Sequence, residues 1–158
     1  MIRLLVAFFA SVIFCAVFTT SSQAEDKPQE LSVEFRRASF EPVEGWETSK
    51  LKANEKKIYL HPQAEIDATD IEKMSLKKNQ QFDELMVQIA LSEEGGKKMR
   101  ILTESHLNKP MAILANGEVI MAPVIRSQIA GAIEISGLSE KQAKSLVEQF
   151  EQFKKEPE

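Results

Sequence analysis

Two histidines, one cysteine and a glycine pair are where chemistry would be sought in this chain of 158 residues. His61 and His106 have no third ligand at a recognised zinc spacing, so no metal site is read from them. Ser105-His106 sets a hydroxyl beside an imidazole, the pairing of nucleophile and base. Adjacent residues on a helix do not face each other, which argues against that pairing. The one cysteine, Cys15, lies in an apolar run near the N-terminus. Downstream of it there is no thiol for a disulfide, a nucleophile or a metal. Gly95-Gly96 reads either as a phosphate-cradling loop or as a close approach of a helix to a sheet. The preceding Glu93-Glu94 would repel an anion and favour the second reading. No pair among the many acids can be argued to share a site. The expectation is therefore no enzyme, no catalytic residue, no cofactor and no metal.

Binding residues are easier to nominate. Pro123–Gly131, PVIRSQIAG, is apolar yet joins two strands. Val124, Ile125 and Ile129 either pack over a sheet edge or stay exposed. In the second case they form a groove or an edge strand to which an extended peptide adds, with Arg126 at its rim. Val124, Ile125, Arg126 and Ile129 are accordingly the candidate partner-binding residues. Arg36-Arg37 reads as a solvated strand face rather than an anion site. Trp46 reads as packing its loop onto the core, with a ligand-stacking platform as the alternative. The formal net charge of −4 disfavours nucleic acid as a partner.

The elements that must position these residues centre on Asn116-Gly117. An Asn-Gly pair between apolar β-formers predicts a two-residue type I′ hairpin, with Ala115 facing Glu118, Leu114 facing Val119 and Ile113 facing Ile120. Both hairpin faces are largely apolar, so both are expected to be covered at least in part. Pro123 should end the second strand. Further strands are predicted over Leu31–Phe40, Lys57–His61, Glu84–Leu91 and Ala132–Ser136, with Glu41–Lys57 as an irregular excursion. Thr69-x-x-Glu72 has the form of a capping box and predicts a short helix through Ile71 and Met74. Ser92 should cap a helix burying Met99 and Leu102, with Leu107 at its end. Ser139-x-x-Gln142 should cap a second, whose stripe is Ala143, Leu146, Val147, Phe150 and Phe153. The fold class expected is α+β, with helices on one face of a mixed, mainly antiparallel sheet and ferredoxin-like βαβ elements.

Met1-Ile2-Arg3, the uncharged run Leu4–Phe18 and Ser22-Gln23-Ala24 have the form of a secretory signal peptide cleaved near Ala24. The run is shorter than the roughly 20 residues a membrane span needs. The expected organisation is a signal peptide over 1–24, a disordered lead-in over 25–32, one domain over 33–153 and a polar tail over 154–158. No integral membrane segment is expected after cleavage, and the location expected is the periplasm or outside the cell.

Lys109-Pro110-Met111-Ala112-Ile113, then Asn-Gly-Glu-Val-Ile, Ala122-Pro123-Val-Ile and Ile135-Ser-Gly resemble the head of the first periplasmic domain of SecD and SecDF, membrane components of protein export. Thr69-Asp70-Ile71, Glu94-Gly95 and Thr103 fall in the order that family keeps. The resemblance runs from about Ile58 to Phe150. It implies a periplasmic α+β head, ferredoxin-like in packing, that contacts emerging polypeptide, and it offers no catalytic residues to carry over. The sequence in hand shows no transmembrane bundle or intramembrane carboxylate beside that head, so a proton-driven motor is not expected of it. The function expected is a binding module for a polypeptide or an envelope protein; the alternative is an accessory subunit without a ligand of its own.

Overall fold

The computed structural model describes residues 32–79 and 84–155. The expected leader, the lead-in up to Leu31, Phe82 and the last tail residues lie outside them. In chain order the elements are β1 (Val33–Ser39), β2 (Glu47–Lys50), β3 (Lys57–Leu60), a 3-10 turn (Ala68–Asp70), β4 (Ile71–Asn79), β5 (Glu84–Leu91), α1 (Glu93–Ser105), β6 (Met111–Ala115), β7 (Glu118–Met121), β8 (Ala132–Ile135) and α2 (Glu140–Phe153). The α+β class holds. The strands are divided between two antiparallel sheets, ordered β2-β3-β1-β6-β7 and β4-β5-β8. The β5–α1–β6 unit passes from the second sheet to the first.

The five-stranded sheet curls into a ring. After β2, Leu51 forms a parallel bridge with Val119 of β7, and the Lys52 N–H donates to the Val119 carbonyl at 2.9 Å. Ala38, Ile58, Leu60, Ala112, Leu114 and Val119 fill the inside, with Phe40, Leu51 and Ala122 at its ends. So small a barrel leaves little interior width, which is why alanines serve there. The outer face of β1 and β6 presents Val33, Phe35, Met111, Ile113 and Ala115 to the second sheet and both helices, forming the main core with Val87, Ile89, Met99, Leu102, Leu146 and Phe150. Every residue of β6 is buried, because this strand is covered on both faces.

The hairpin turns at Asn116 (φ 50°) and Gly117 (φ 78°), both left-handed as a type I′ turn requires. Ala115 pairs with Glu118 and Leu114 with Val119 as expected. The third pair is Ile113 with Met121, not Ile120, because a bulge inserts Ile120.

The predicted helix after Thr69 is instead the strand β4. Here Asp67 caps the 3-10 turn, accepting from the Thr69 N–H at 2.8 Å, and Asp70 reaches back to the Asp67 N–H. A second bulge lies between Ile71 and Lys73. It puts Ile71 and Met74, three apart, on the same buried face and so gives a strand the spacing of a helix. The polar strand β2, inside the predicted excursion, was without an apolar signal.

Ser92 caps α1 as expected, and Gly95 explains itself by contact: a Cβ there would lie 2.3 Å from the Asp70 carbonyl oxygen. The close approach is thus to the start of β4, while Gly96 meets nothing. Leu107 stays 47% exposed rather than joining the buried face of α1. The α2 box forms as expected, with Ser139 and Gln142 capping reciprocally.

Candidate functional site

β7 does not stop pairing where the sheet ends. The Met111 N–H donates to the Pro123 carbonyl at 3.0 Å, the Ile125 N–H to the Lys109 carbonyl at 3.0 Å, and the Asn108 N–H to the Ile125 carbonyl at 2.8 Å. Val124 sits between these bonds, bridged to Pro110. In an antiparallel pair, residues alternate between bonding to the partner strand and bonding away from it. Pro123 and Ile125 face β6, so Ala122 and Val124 aim their N–H and C=O groups outward. A sheet proline ordinarily blunts an edge by turning its missing donor to solvent. Pro123 does the opposite: it gives up an inward bond and leaves the outward donors in place.

The four sequence-nominated residues lie along this flank but do different things. Ile125 is 3% exposed and belongs to the main core, so its side chain anchors the segment and offers no contact surface. Val124 is half-buried. Arg126 is exposed and donates from Nη1 to Asn108 Oδ1 at 3.2 Å. Ile129 is half-buried against the core, its N–H donating to Thr103 Oγ1 at 3.0 Å. The seam residues Leu51 and Lys52, which decide where the edge is closed, had no signal in the sequence.

Elsewhere the polar groups are engaged with one another. A cleft of about 610 Å³ between the hairpin tip and α2 is lined by Asn116, Glu118, Lys141, Gln142, Ser145 and Gln149 over apolar residues. Asn116 donates to Gln149, which donates to Ser145, and Gln142 is occupied in capping α2. Arg36 and Arg37 are not simply solvated: Arg36 pairs with Glu34 and Glu47, and Arg37 with Glu65. Trp46 is half-buried and packs edge-on against His61 rather than onto the core.

Contrary to the helical argument, Ser105 Oγ and His106 Nδ1 do meet, at 2.8 Å. His106 is the C-cap of α1, and its non-helical backbone swings the ring toward its neighbour. The Ser105 hydroxyl donates to the Ile101 carbonyl at 2.8 Å, so the serine proton is not offered to the imidazole. Burial first, and then the Arg37 guanidinium, hold the His106 imidazole below its ordinary pKa. A serine turned to a helix carbonyl beside a weakly basic imidazole is not an activated nucleophile. Among the described residues no group of three or more His, Cys, Asp or Glu side chains is placed to hold a metal. No helix among them is long and apolar enough to cross a membrane.

The family model described as SecDF, P1 head subdomain, matches residues 46–151. Over 75 residues the chain is 35% identical to the protein translocase subunit SecD of Petrotoga mobilis, covering 47% of this chain and 16% of that protein. A crystal structure of SecDF in a super-membrane-facing form superposes with a TM-score of 0.62 at 25% identity, covering 77% of this chain and 19% of that one. A second structure, of a membrane component SecDF that enhances protein export, gives a TM-score of 0.63 at 25% identity, covering 77% of this chain and 62% of that one. The chain therefore spans less than two thirds of each of these relatives.

Proposed function

The chain belongs to the SecDF P1 head subdomain family, and from that premise we propose that it is a non-catalytic periplasmic or secreted binding module, freed of its leader near Ala24, that takes extended polypeptide in connection with protein export. The site is the open edge at Ala122–Val124, with Arg126 and Ile129 at its rim and Ile125 as its anchor. The observation that carries this reading is the inward-facing Pro123, which leaves outward donors on both sides of it. A passing chain would add as a further strand.

The strength of such a contact can be bounded. Two outward residues offer four backbone groups, each worth about 1 kcal/mol net when bonded. The resulting total of about 4 kcal/mol corresponds to a Kd in the millimolar range before any side chain contributes. Weak capture and rapid release suit a module that touches a moving chain. The test is photo-crosslinking in the native envelope from a probe at Val124, with a control at exposed Lys154. Crosslinks from Val124 to many different exported chains are expected. A single discrete product would replace this reading with that of an accessory subunit, and silence at Val124 would remove the edge as the site.

A further inference from the structure

The second sheet has two free edges, and they differ. Its strand order is β4-β5-β8, so β4 and β8 each present one unpaired side. The Leu91 N–H donates to the Gly131 carbonyl at 3.3 Å, and the register beyond pairs Ile89 with Ile133 and Val87 with Ile135. Bonding alternates along an antiparallel strand, so Gly131, Ile133 and Ile135 bond to β5 while Ala132 and Glu134 aim their N–H and C=O groups outward. Both outward residues are exposed, and among the described residues no backbone bond outside the β5 ladder reaches either. Natural sheets blunt a free edge with charge, lysine above all. The β4 strand is guarded in this way, with Lys73, Lys77 and Lys78 exposed along it. The β8 strand carries no cation, and its one charge, Glu134, is held over the sheet by Lys77 at 2.5 Å.

We propose that β8 is a dimer edge, pairing antiparallel with β8 of a second copy of this chain about a two-fold axis at Ile133. Self-complementarity names the occupant. A register that pairs Glu134 with itself sets two carboxylates opposite each other, which is unfavourable. One that pairs Ala132 with itself leaves Glu134 beyond the partner strand. Pairing Ala132 with Glu134 closes four backbone bonds and uses every outward group of both strands. The charges then complement each other as well. Lys73 lies opposite Ala90, and Ala90 opposite Ala132, so on the solvent face one cross-strand row runs from Glu134 to Ala132, Ala90 and Lys73 of the second copy. Lys73 is exposed and is in no ion pair of its own among the described residues. A carboxylate and an ammonium thus stand at opposite ends of two alanines, twice by symmetry. The assembly closes at two copies, because the edges left over are the lysine-lined β4 strands, which repel one another. This interface is separate from the open edge at Ala122–Val124 and does not rest on what that edge binds.

The test is sedimentation of the full chain purified from the envelope, together with disulfide capture. Four backbone bonds make a weak attachment, so the weight-average mass is expected to rise toward twice the monomer value only as protein approaches about millimolar concentration. Glu134→Lys gives β8 the guard that β4 has, and should raise the dissociation constant at least about tenfold. Register is read by mixing chains that carry Cys15→Ser with either Ala132→Cys or Glu134→Cys. Hydrogen-bonded partners lie about 5.5 Å apart at Cα, within disulfide reach, so the mixed disulfide should exceed either homodimer about tenfold, against about twofold for random encounter. A wild type that stays monomeric at millimolar concentration, a dimer indifferent to Glu134→Lys, or a product ratio at the random value overturns the proposal. Should Glu134→Lys fail to fold, the capture ratio decides the matter.

Discussion

Glu118-Val119 in β7 and Ala122–Val124 just beyond its end lie on one run of chain beside β6, yet the molecule treats them differently. At Val119 the outward carbonyl receives the Lys52 N–H, and the Lys52 ammonium pairs with Glu118. At Ala122 and Val124 the same kind of outward group faces away from the fold. The bulge at Ile120 and the inward Pro123 separate the two halves. An edge can thus be sealed where a barrel must close and left unsealed a few residues on, just past the end of β7.

The largest effect should come from the anchor of the open half. Ile125→Ala empties a buried position and is expected to cost about 3 kcal/mol in denaturant unfolding, against less than about 1 kcal/mol for Val124→Ala. Equal losses would mean that the two side chains are not differently placed. Lys52→Pro removes the donor that seals Val119 and should cost about 1 kcal/mol. It should also let a crosslinker at exposed Glu118 reach extended chains as one at Val124 does, erasing the contrast. Val124→Pro removes an outward donor but no ladder bond, so stability should move by no more than about 0.5 kcal/mol while crosslinking to extended chains from a probe at exposed Arg126 is lost. The smallest change is Glu118→Gln. It breaks an exposed ion pair and should alter stability by no more than about 0.3 kcal/mol at low salt, and by nothing measurable in molar salt.

What could be read from the sequence was what is decided locally. Asn116-Gly117 sets its turn by backbone conformation alone, and Ser92 and Ser139 cap their helices within four residues. The failures share a cause in pairing between distant residues. Ile71 and Met74 mimic a helix because a bulge, visible only against β5, inserts a residue between them. Strand β2 has no apolar residue and exists because β3 pairs with it. Of the candidate site, the sequence nominates only the apolar connector, Pro123–Gly131. Its division into a buried anchor at Ile125 and an outward backbone at Val124 depends on register with Lys109–Met111, which no local pattern encodes.

The seam also has a history within each molecule. Lys52 and Glu118 stand 66 positions apart, so the barrel cannot close until β4, β5 and α1, which lie between them, have drawn the two ends together. Closing so long a loop carries an entropy cost that few contacts repay until the rest is in place. The seam is accordingly a late event in folding and an early one in unfolding. Weakening it should speed unfolding while leaving the folding rate nearly unchanged.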